Sequence, residues 1–326
     1  MRRRAFIVGR GGAIAWPVVA RAQQPAMPVI GYLSVGSGQS NASRLVGLKQ
    51  GLNETGYVEG QNLAIEYRWV GNQFERLPAL ATELVQHKVA LLVTPGLAAT
   101  LAAKAATATV PILFGVGADP VQLGLVASLN RPGRNLTGFN QLSAELGAKA
   151  VALFSDLVPT VQVIGLLVNP NNPTFSNLAV KDISAAVAAI GKKVDVINAA
   201  TEREIDAAFE GLGQARVGAL LISNDVFFNT QIEQIVALAT LHAVPVMYSS
   251  REFVAAGGLI SYGGSLIDSY RHIGLYAGRI LSGEKASNLP VVQSNEIALA
   301  INLQAAKKLG LEIPARLLAL ADEVIE

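Results

Sequence analysis

A stretch that opens with Val-Pro occurs twice in this chain of 326 residues, and no other feature restricts the possible folds as tightly. From Val110 the sequence reads VPILFGVGADPVQLGLVASLNRPGRNLTGFN, and from Val244 it reads VPVMYSSREFVAAGGLISYGG. Each copy starts with a short apolar run, Ile112–Phe114 or Val246–Tyr248, of the kind that forms a strand buried in a parallel sheet. Each then crosses a polar loop (Gly115–Pro120; Ser249–Arg251) into an apolar segment read as helix (Val121–Leu129; Glu252–Ala256). Each returns to a strand, Leu136–Phe139 or Leu259–Tyr262. The same order of strand, loop, helix and strand predicts two βαβ units and hence two similar lobes, each with its own parallel sheet. Ligands of open α/β sheets bind beyond the carboxyl ends of the strands, so two lobes facing each other at those ends would enclose one cleft.

The remainder alternates in the same way. Strands are expected at Val29–Ser34, Leu63–Trp69 and Ala90–Val93, with helices at Asn41–Thr55, Phe74–His87 and Leu97–Ala106. In the second half, helices at Ala144–Leu157, Phe175–Ile190, Glu202–Gln214 and Thr230–Leu241 separate strands at Val163–Val168, Lys193–Asn198 and Ala219–Ser223. Apolar residues recur at helical spacing, as in Leu45, Leu48 and Leu52, and Gly56 closes the first helix. The fold class predicted is α/β, two Rossmann-like lobes with parallel sheets flanked by helices.

A length of 326 residues suits two domains, and although 51% of the residues are hydrophobic, no apolar run approaches the ~20 residues of a membrane span. The formal charge of +2 hides an asymmetry. Arg2, Arg3, Arg4, Arg10 and Arg21 lie in the first 22 residues; without them 21 basic residues face 24 acidic ones, a mildly acidic body with no footprint for nucleic acid. The amino-terminal end reads as an export signal over residues 1–22: a basic start, an apolar Gly-rich stretch, and Ala20-Arg21-Ala22 as a cleavage site before Gln23. Arg3-Arg4-Ala5-Phe6-Ile7 fits the twin-arginine pattern, and Arg10 and Pro17 inside the apolar stretch favour that route. With no cysteine there is no lipid-anchored terminus and no disulfide. The expectation is a monomeric protein free in the periplasm of a Gram-negative bacterium.

Candidate binding residues lie where strands give way to helices: Ser34, Ser37, Thr94, Gly96 and Asp119 in the first lobe, and Asn169, Asn171, Asn224, Asp225, Tyr248, Ser249 and Arg251 in the second. They supply short hydrogen-bonding side chains and glycines that bring backbone N–H groups close to a ligand, near helix N-termini suited to a carboxylate. Asp225, then Asp119, is the expected partner of a ligand ammonium, and Tyr248, Phe227 or Phe228 of an aromatic group. Each Ser, Asp or Asn could equally be a plain helix cap. The three histidines fall on helices or their ends, no spacing suits a metal, and there is no G-x-S-x-G elbow. Gly115-Val116-Gly117-Ala118-Asp119-Pro120 carries proline where a dinucleotide loop needs its third glycine. No cofactor is expected, and neither is an enzyme.

Several runs resemble the ABC-transporter substrate-binding proteins of the tryptophan/aromatic-type family. They are Gly51–Asn62 (GLNETGYVEGQN), Ile65–Trp69 (IEYRW), Asp119-Pro120-Val121, Arg131-Pro132-Gly133 with Asn135-Leu136-Thr137-Gly138, Arg251-Glu252-Phe253-Val254 with Gly257-Gly258, and the terminal Ala321–Glu326 (ADEVIE). Arg134 stands where that family more often has glycine. The resemblance implies a type I periplasmic-binding-protein fold, with two lobes joined by three crossovers and a small-molecule ligand enclosed between them. It also implies delivery to a permease in the inner membrane. The expected division is residues 28–139 with 264–289 as the first lobe, and 140–263 with 290–326 as the second. Asn135–Gln141, Leu259–Ser265 and Pro290–Asn295 would be hinge strands. A transcription regulator of the same fold would need a helix-turn-helix where the leader stands, and a periplasmic enzyme would need a catalytic set that the strand-end residues lack.

Overall fold

The computed structural model describes residues 27–71, 73–141, 143–293 and 297–326. The expected leader, its arginines and its cleavage point lie outside the described residues. In chain order the first elements are β1 (Val29–Ser34), α1 (Ala42–Glu54), β2 (Ala64–Trp69), α2 (Leu77–Gln86), β3 (Leu91–Pro95), α3 (Leu97–Ala106), β4 (Ile112–Val116) and β5 (Leu136–Asn140). Next come α4 (Ser143–Leu157), β6 (Val163–Val168), α5 (Pro173–Ala189), β7 (Lys193–Asn198), α6 (Glu202–Gly211), β8 (Ala219–Ile222), α7 (Val226–Asn229), α8 (Ile232–Leu241), β9 (Val246–Tyr248), α9 (Arg251–Ala255) and β10 (Ile260–Gly263). The chain closes with α10 (Leu266–Leu281), β11 (Val292–Gln293), β12 (Ala298–Asn302), α11 (Leu303–Lys308), α12 (Ala315–Leu320) and β13 (Glu323–Ile325).

Two sheets result. The first has six strands in the order β11-β5-β4-β3-β1-β2, all parallel, and the second has seven in the order β13-β12-β10-β9-β8-β6-β7. The chain passes between the sheets after β5, after β10 and after β11. Side chains alternate across each sheet, as the two-residue period of a strand requires. In the first lobe Leu33, Leu92 and Phe114 pack with α2 and α3, while Ile30, Tyr32 and Leu113 pack with α1 and α10. In the second lobe Leu166, Leu221 and Met247 pack beneath α4 and α5, while Leu167, Leu220 and Tyr248 face α6, α8 and α9. Helix starts follow local chemistry: Thr201 caps α6 by accepting the Glu204 N–H at 3.2 Å, and Ser265 caps α10 by accepting that of Asp268 at 3.2 Å.

Four expectations are corrected. Residues 121–129 form turns rather than a helix, because the Asp119 carboxylate draws the N–H groups of Val121 (2.8 Å) and Gln122 (3.3 Å) into a tight turn and Gly124 follows at φ 63°. The helix expected from Thr230 begins two residues later as α8, and a short helix that was not expected, α7, precedes it from Val226 on an Asp225 cap. The second sheet is not wholly parallel, since β12 runs antiparallel to β10. Val292 and Gln293, placed with the second lobe by the sequence, pair with Phe139 and Asn140 in the first sheet.

One helix pair brings the last part of the chain back onto the first. On α1, Gly47 and Gly51 face α10, and on α10, Gly274 and Gly278 face α1. A Cβ on Gly47 or Gly51 would overlap the carbonyl oxygen of Ile267 or Arg271; one on Gly274 or Gly278 would overlap Leu48 O or Thr55 Oγ1. Two glycines four residues apart on each helix present one bare stripe, so the backbones pack in direct contact. Arg271 on α10 also takes both oxygens of Glu54 on α1, at 2.7 Å each. This crossing sets the first turn of α10 beside the first turn of α1, at the edge of the interlobe cleft.

Candidate ligand-binding cleft

The two lobes meet across the carboxyl ends of their parallel strands. A chamber of about 30 Å³ lies between them, walled by Arg44 of α1, Gln141 and Tyr270 from the first-lobe side and by Asn172, Asp225 and Asn229 from the second. On one side it adjoins a polar groove of about 810 Å³, with Arg44, Asn229 and Leu266 lining both spaces. On the other side Gly117, Phe175 and Asn224 are shared with an apolar cavity of about 160 Å³.

The chamber holds opposite charges from opposite lobes. Arg44 is 2% exposed and has no carboxylate within ion-pair distance among the described residues. Its Nη1 donates to Asn41 Oδ1 at 3.5 Å, and its guanidinium sits 5.8 Å from the Tyr270 ring centroid. The end of β1 positions it: Asn41 donates to the carbonyls of Val35 and Ser37 at 2.9 Å each and receives Ser34 Oγ at 3.2 Å. A cation in the first turn of a helix opposes the helix dipole, so neither burial nor the helix favours Arg44 there. Burial lifts the Tyr270 hydroxyl to about 12, an effect that Arg44 opposes.

Asp225, also 2% exposed, receives Asn169 Nδ2 (3.1 Å) and the Phe227 N–H (2.9 Å) on Oδ1 and Asn172 Nδ2 (2.7 Å) on Oδ2. Burial pushes its carboxyl above the ordinary range, while those three donors and the charge of Arg44 pull it back. Three donors occupy three of the roughly four positions a carboxylate offers. Asn229, 4% exposed, donates Nδ2 to Asn224 Oδ1 at 3.1 Å and leaves its own Oδ1 buried without a partner. A guanidinium without a carboxylate partner among the described residues and two acceptors short of donors converge on one space.

The residues singled out from sequence separate into groups. Asn169, Asn224 and Asp225 come together, and Asn224 reaches across the cleft to Gln141 Oε1 at 2.7 Å. Gly96 lies on the chamber wall. Ser34 supports it through Asn41, whereas Thr94 is turned to Thr100 (Oγ1 to Oγ1, 3.1 Å) and Ser37 joins Ser40 at the exposed rim. Asn171 N bonds back to Asn169 Oδ1 in a local turn. Asp119 is exposed at the mouth of the apolar cavity, occupied with its turn. Arg251 is committed to Glu323 of β13, Nε to Oε2 at 2.9 Å and Nη2 to Oε1 at 2.7 Å. The Tyr248 ring stacks on Phe253 at 4.6 Å, and Phe227 and Phe228 are both fully buried in that same core. Arg44 and Asn229 were missed. Arg44 does leave a trace in the sequence: it stands four residues before Leu48, a charge on the apolar stripe of α1.

Contact between the lobes depends on a bare backbone at Gly96, where a Cβ would come within 2.5 Å of Val226 Cγ2. Its φ of 85° would strain alanine in open and closed forms alike, but the clash with Val226 exists only when the lobes touch. Gly96→Ala is therefore expected to favour the open form and weaken ligand binding by about 1–3 kcal/mol, the scale of one overpacked contact. Small-angle scattering with saturating ligand checks this: a radius as compact as that of the unaltered protein would count against it.

Two α/β lobes threaded three times by one chain, with a charged chamber between their strand ends, define a solute-binding protein of the type I periplasmic-binding-protein fold. The family described as "ABC transporter substrate binding protein" matches residues 30–325, and the chain belongs to that family. Among its relatives, the Tyrosine-binding protein of Clostridioides difficile (strain R20291) is 26% identical over 271 residues, 82% of this chain and 76% of that one. A solved conserved domain protein from Vibrio cholerae superposes with a TM-score of 0.82 at 26% identity, covering 91% of this chain and 99% of the other. The ABC domain in complex with L-Trp from Streptococcus pneumonia does so with 0.80 at 25% identity and the same coverage.

Proposed function

We propose that this protein is exported to the periplasm, loses its leader near Ala22 by the twin-arginine route, and works as a monomer that delivers its solute to an inner-membrane ABC permease. The ligand is a small zwitterion, an aromatic amino acid or a close relative. The observation that carries this reading is the pair Arg44 and Asp225, buried on opposite lobes at one chamber. Arg44 holds the carboxylate, because a guanidinium presents paired donors to it. Asp225 and Asn229 Oδ1 accept from the ammonium. Each lobe supplies one of the two charges, so a zwitterion binds the closed form better than the open form and draws the lobes together. The relatives named for tyrosine and solved with L-Trp support an aromatic side chain.

Native mass spectrometry of protein released from the periplasm by osmotic shock tests this. The expected result is a chain that begins at or near Gln23 and carries an amino acid that leaves on denaturation. A chain that still begins at Met1, or one that releases no zwitterion and binds none in calorimetry with the twenty amino acids, would overturn the corresponding half of the proposal.

A further inference from the structure

The apolar cavity beside the chamber is built almost wholly from the second lobe. Its floor is Leu166, Leu221 and Met247, from three adjacent strands, and its walls come from α4 and α5; the first lobe adds only the roof at 117–119 and Gln122. At about 160 Å³ it matches the dry apolar cavities of ~150 Å³ that take up a single aromatic ring, and it is larger than close-packed cores leave empty. Small residues on the helices make the room: Gly147 and Ala150 on α4, and Ala179 on α5. Ser223 adds a second, independent sign of a ligand. It is 7% exposed, follows directly on the end of β8, lines the cavity, and has its hydroxyl buried without a partner.

Gly117, Phe175 and Asn224 are common to this cavity and the charged chamber, so one molecule can occupy both. We infer that the side chain of the ligand enters the second lobe between α4, α5 and the sheet, and that Ala150 sets the size it accepts: a ring-sized apolar group with a polar atom toward Ser223. This rests on the zwitterion reading for the head group but locates the side chain independently. Of the aromatic residues that sequence pointed to, Phe227 and Phe228 do not line this cavity; Tyr248 borders it, with its ring stacked on Phe253 in the core on the other face of the sheet.

The test is Ala150→Phe, which fills the cavity with a ring of the protein's own and leaves Arg44 and Asp225 untouched. Calorimetry with L-tyrosine and L-phenylalanine is expected to show at least a 100-fold loss of affinity, with an unchanged or higher melting temperature. Saturation-transfer NMR with p-cresol, which has the ring and hydroxyl but no amino-acid head, is expected to detect binding to the unaltered protein and none to the variant. Affinity for both amino acids unchanged in folded Ala150→Phe, or no p-cresol binding to the unaltered protein, would overturn the inference. Binding of p-cresol without any amino acid would overturn the zwitterion reading and leave this one standing. If Ala150→Phe does not fold, Ala179→Leu from the opposite wall is read in the same way.

Discussion

Gly51→Ala will destabilise the protein although it replaces a glycine inside a helix with the best helix former. In an exposed helix that change is favourable by roughly 0.5–1 kcal/mol, because alanine loses less backbone freedom on folding. At Gly51 the new methyl would overlap the Arg271 carbonyl oxygen of α10, a backbone atom with no rotamer to give way. The helices must separate, and overpacking of this kind costs about 1–3 kcal/mol and sometimes more. A larger residue, as in Gly51→Leu, will exceed that range. Gly211, at the end of α6 with nothing near its missing side chain, is the control: Gly211→Ala will be neutral or stabilising. Urea denaturation of the three variants decides the matter, and a Gly51→Ala midpoint at or above the parent value would refute the close crossing. The consequence reaches the site, because the α1–α10 contact holds Arg44 and Tyr270 at the same chamber.

Arg44→Met is expected to move stability and binding in opposite directions. Methionine roughly preserves the length of the side chain and removes a buried charge that lacks an acidic partner among the described residues, so the ligand-free protein will be as stable as the parent or more so. Ligand affinity will fall by about 2–5 kcal/mol, the cost of truncating one partner of a buried charge pair, which corresponds to a loss of about 30-fold to a few thousand-fold. Differential scanning calorimetry of the ligand-free protein and titration with the ligand it releases on denaturation give the two readouts. Equal affinity with a lower melting temperature would make Arg44 a packing residue and remove the main support for carboxylate recognition. Asp225 offers no such clean separation: Asp225→Ala also removes the cap of α7 and leaves the amides of Asn169 and Asn172 without their acceptor.

Most strands and most long helices were legible within a few residues of their observed ends, from Val29–Ser34 to Lys193–Asn198, because the side-chain period that marks them is a local property. The failures have local causes too. Residues 121–129 carry an apolar pattern that turns can bury equally well, as Leu125 and Val126 show. The four-residue α7 is too short for any period to appear. The reversed strand β12 is set by its neighbour β10, nearly forty residues earlier, and a strand's own pattern does not carry its direction.

The candidate site divides along the same line. That polar residues cluster where strands end was visible in Asn169, Asn224 and Asp225, since a parallel α/β sheet always brings those loops to one edge. Which of them face a ligand was not visible, because Ser34, Thr94, Ser37 and Arg251 are absorbed by Asn41, Thr100, Ser40 and Glu323. The residue types along the chain were enough for two α/β lobes, their order, and a cleft at the strand ends. The folded molecule alone placed Arg44 opposite Asp225, joined Gln141 to Asn224 across 83 residues, and opened the apolar cavity beneath α4 and α5. Hydrophobic periodicity acts over a few residues, whereas burial without a partner exists only once distant segments have packed and excluded the water that would otherwise satisfy those groups.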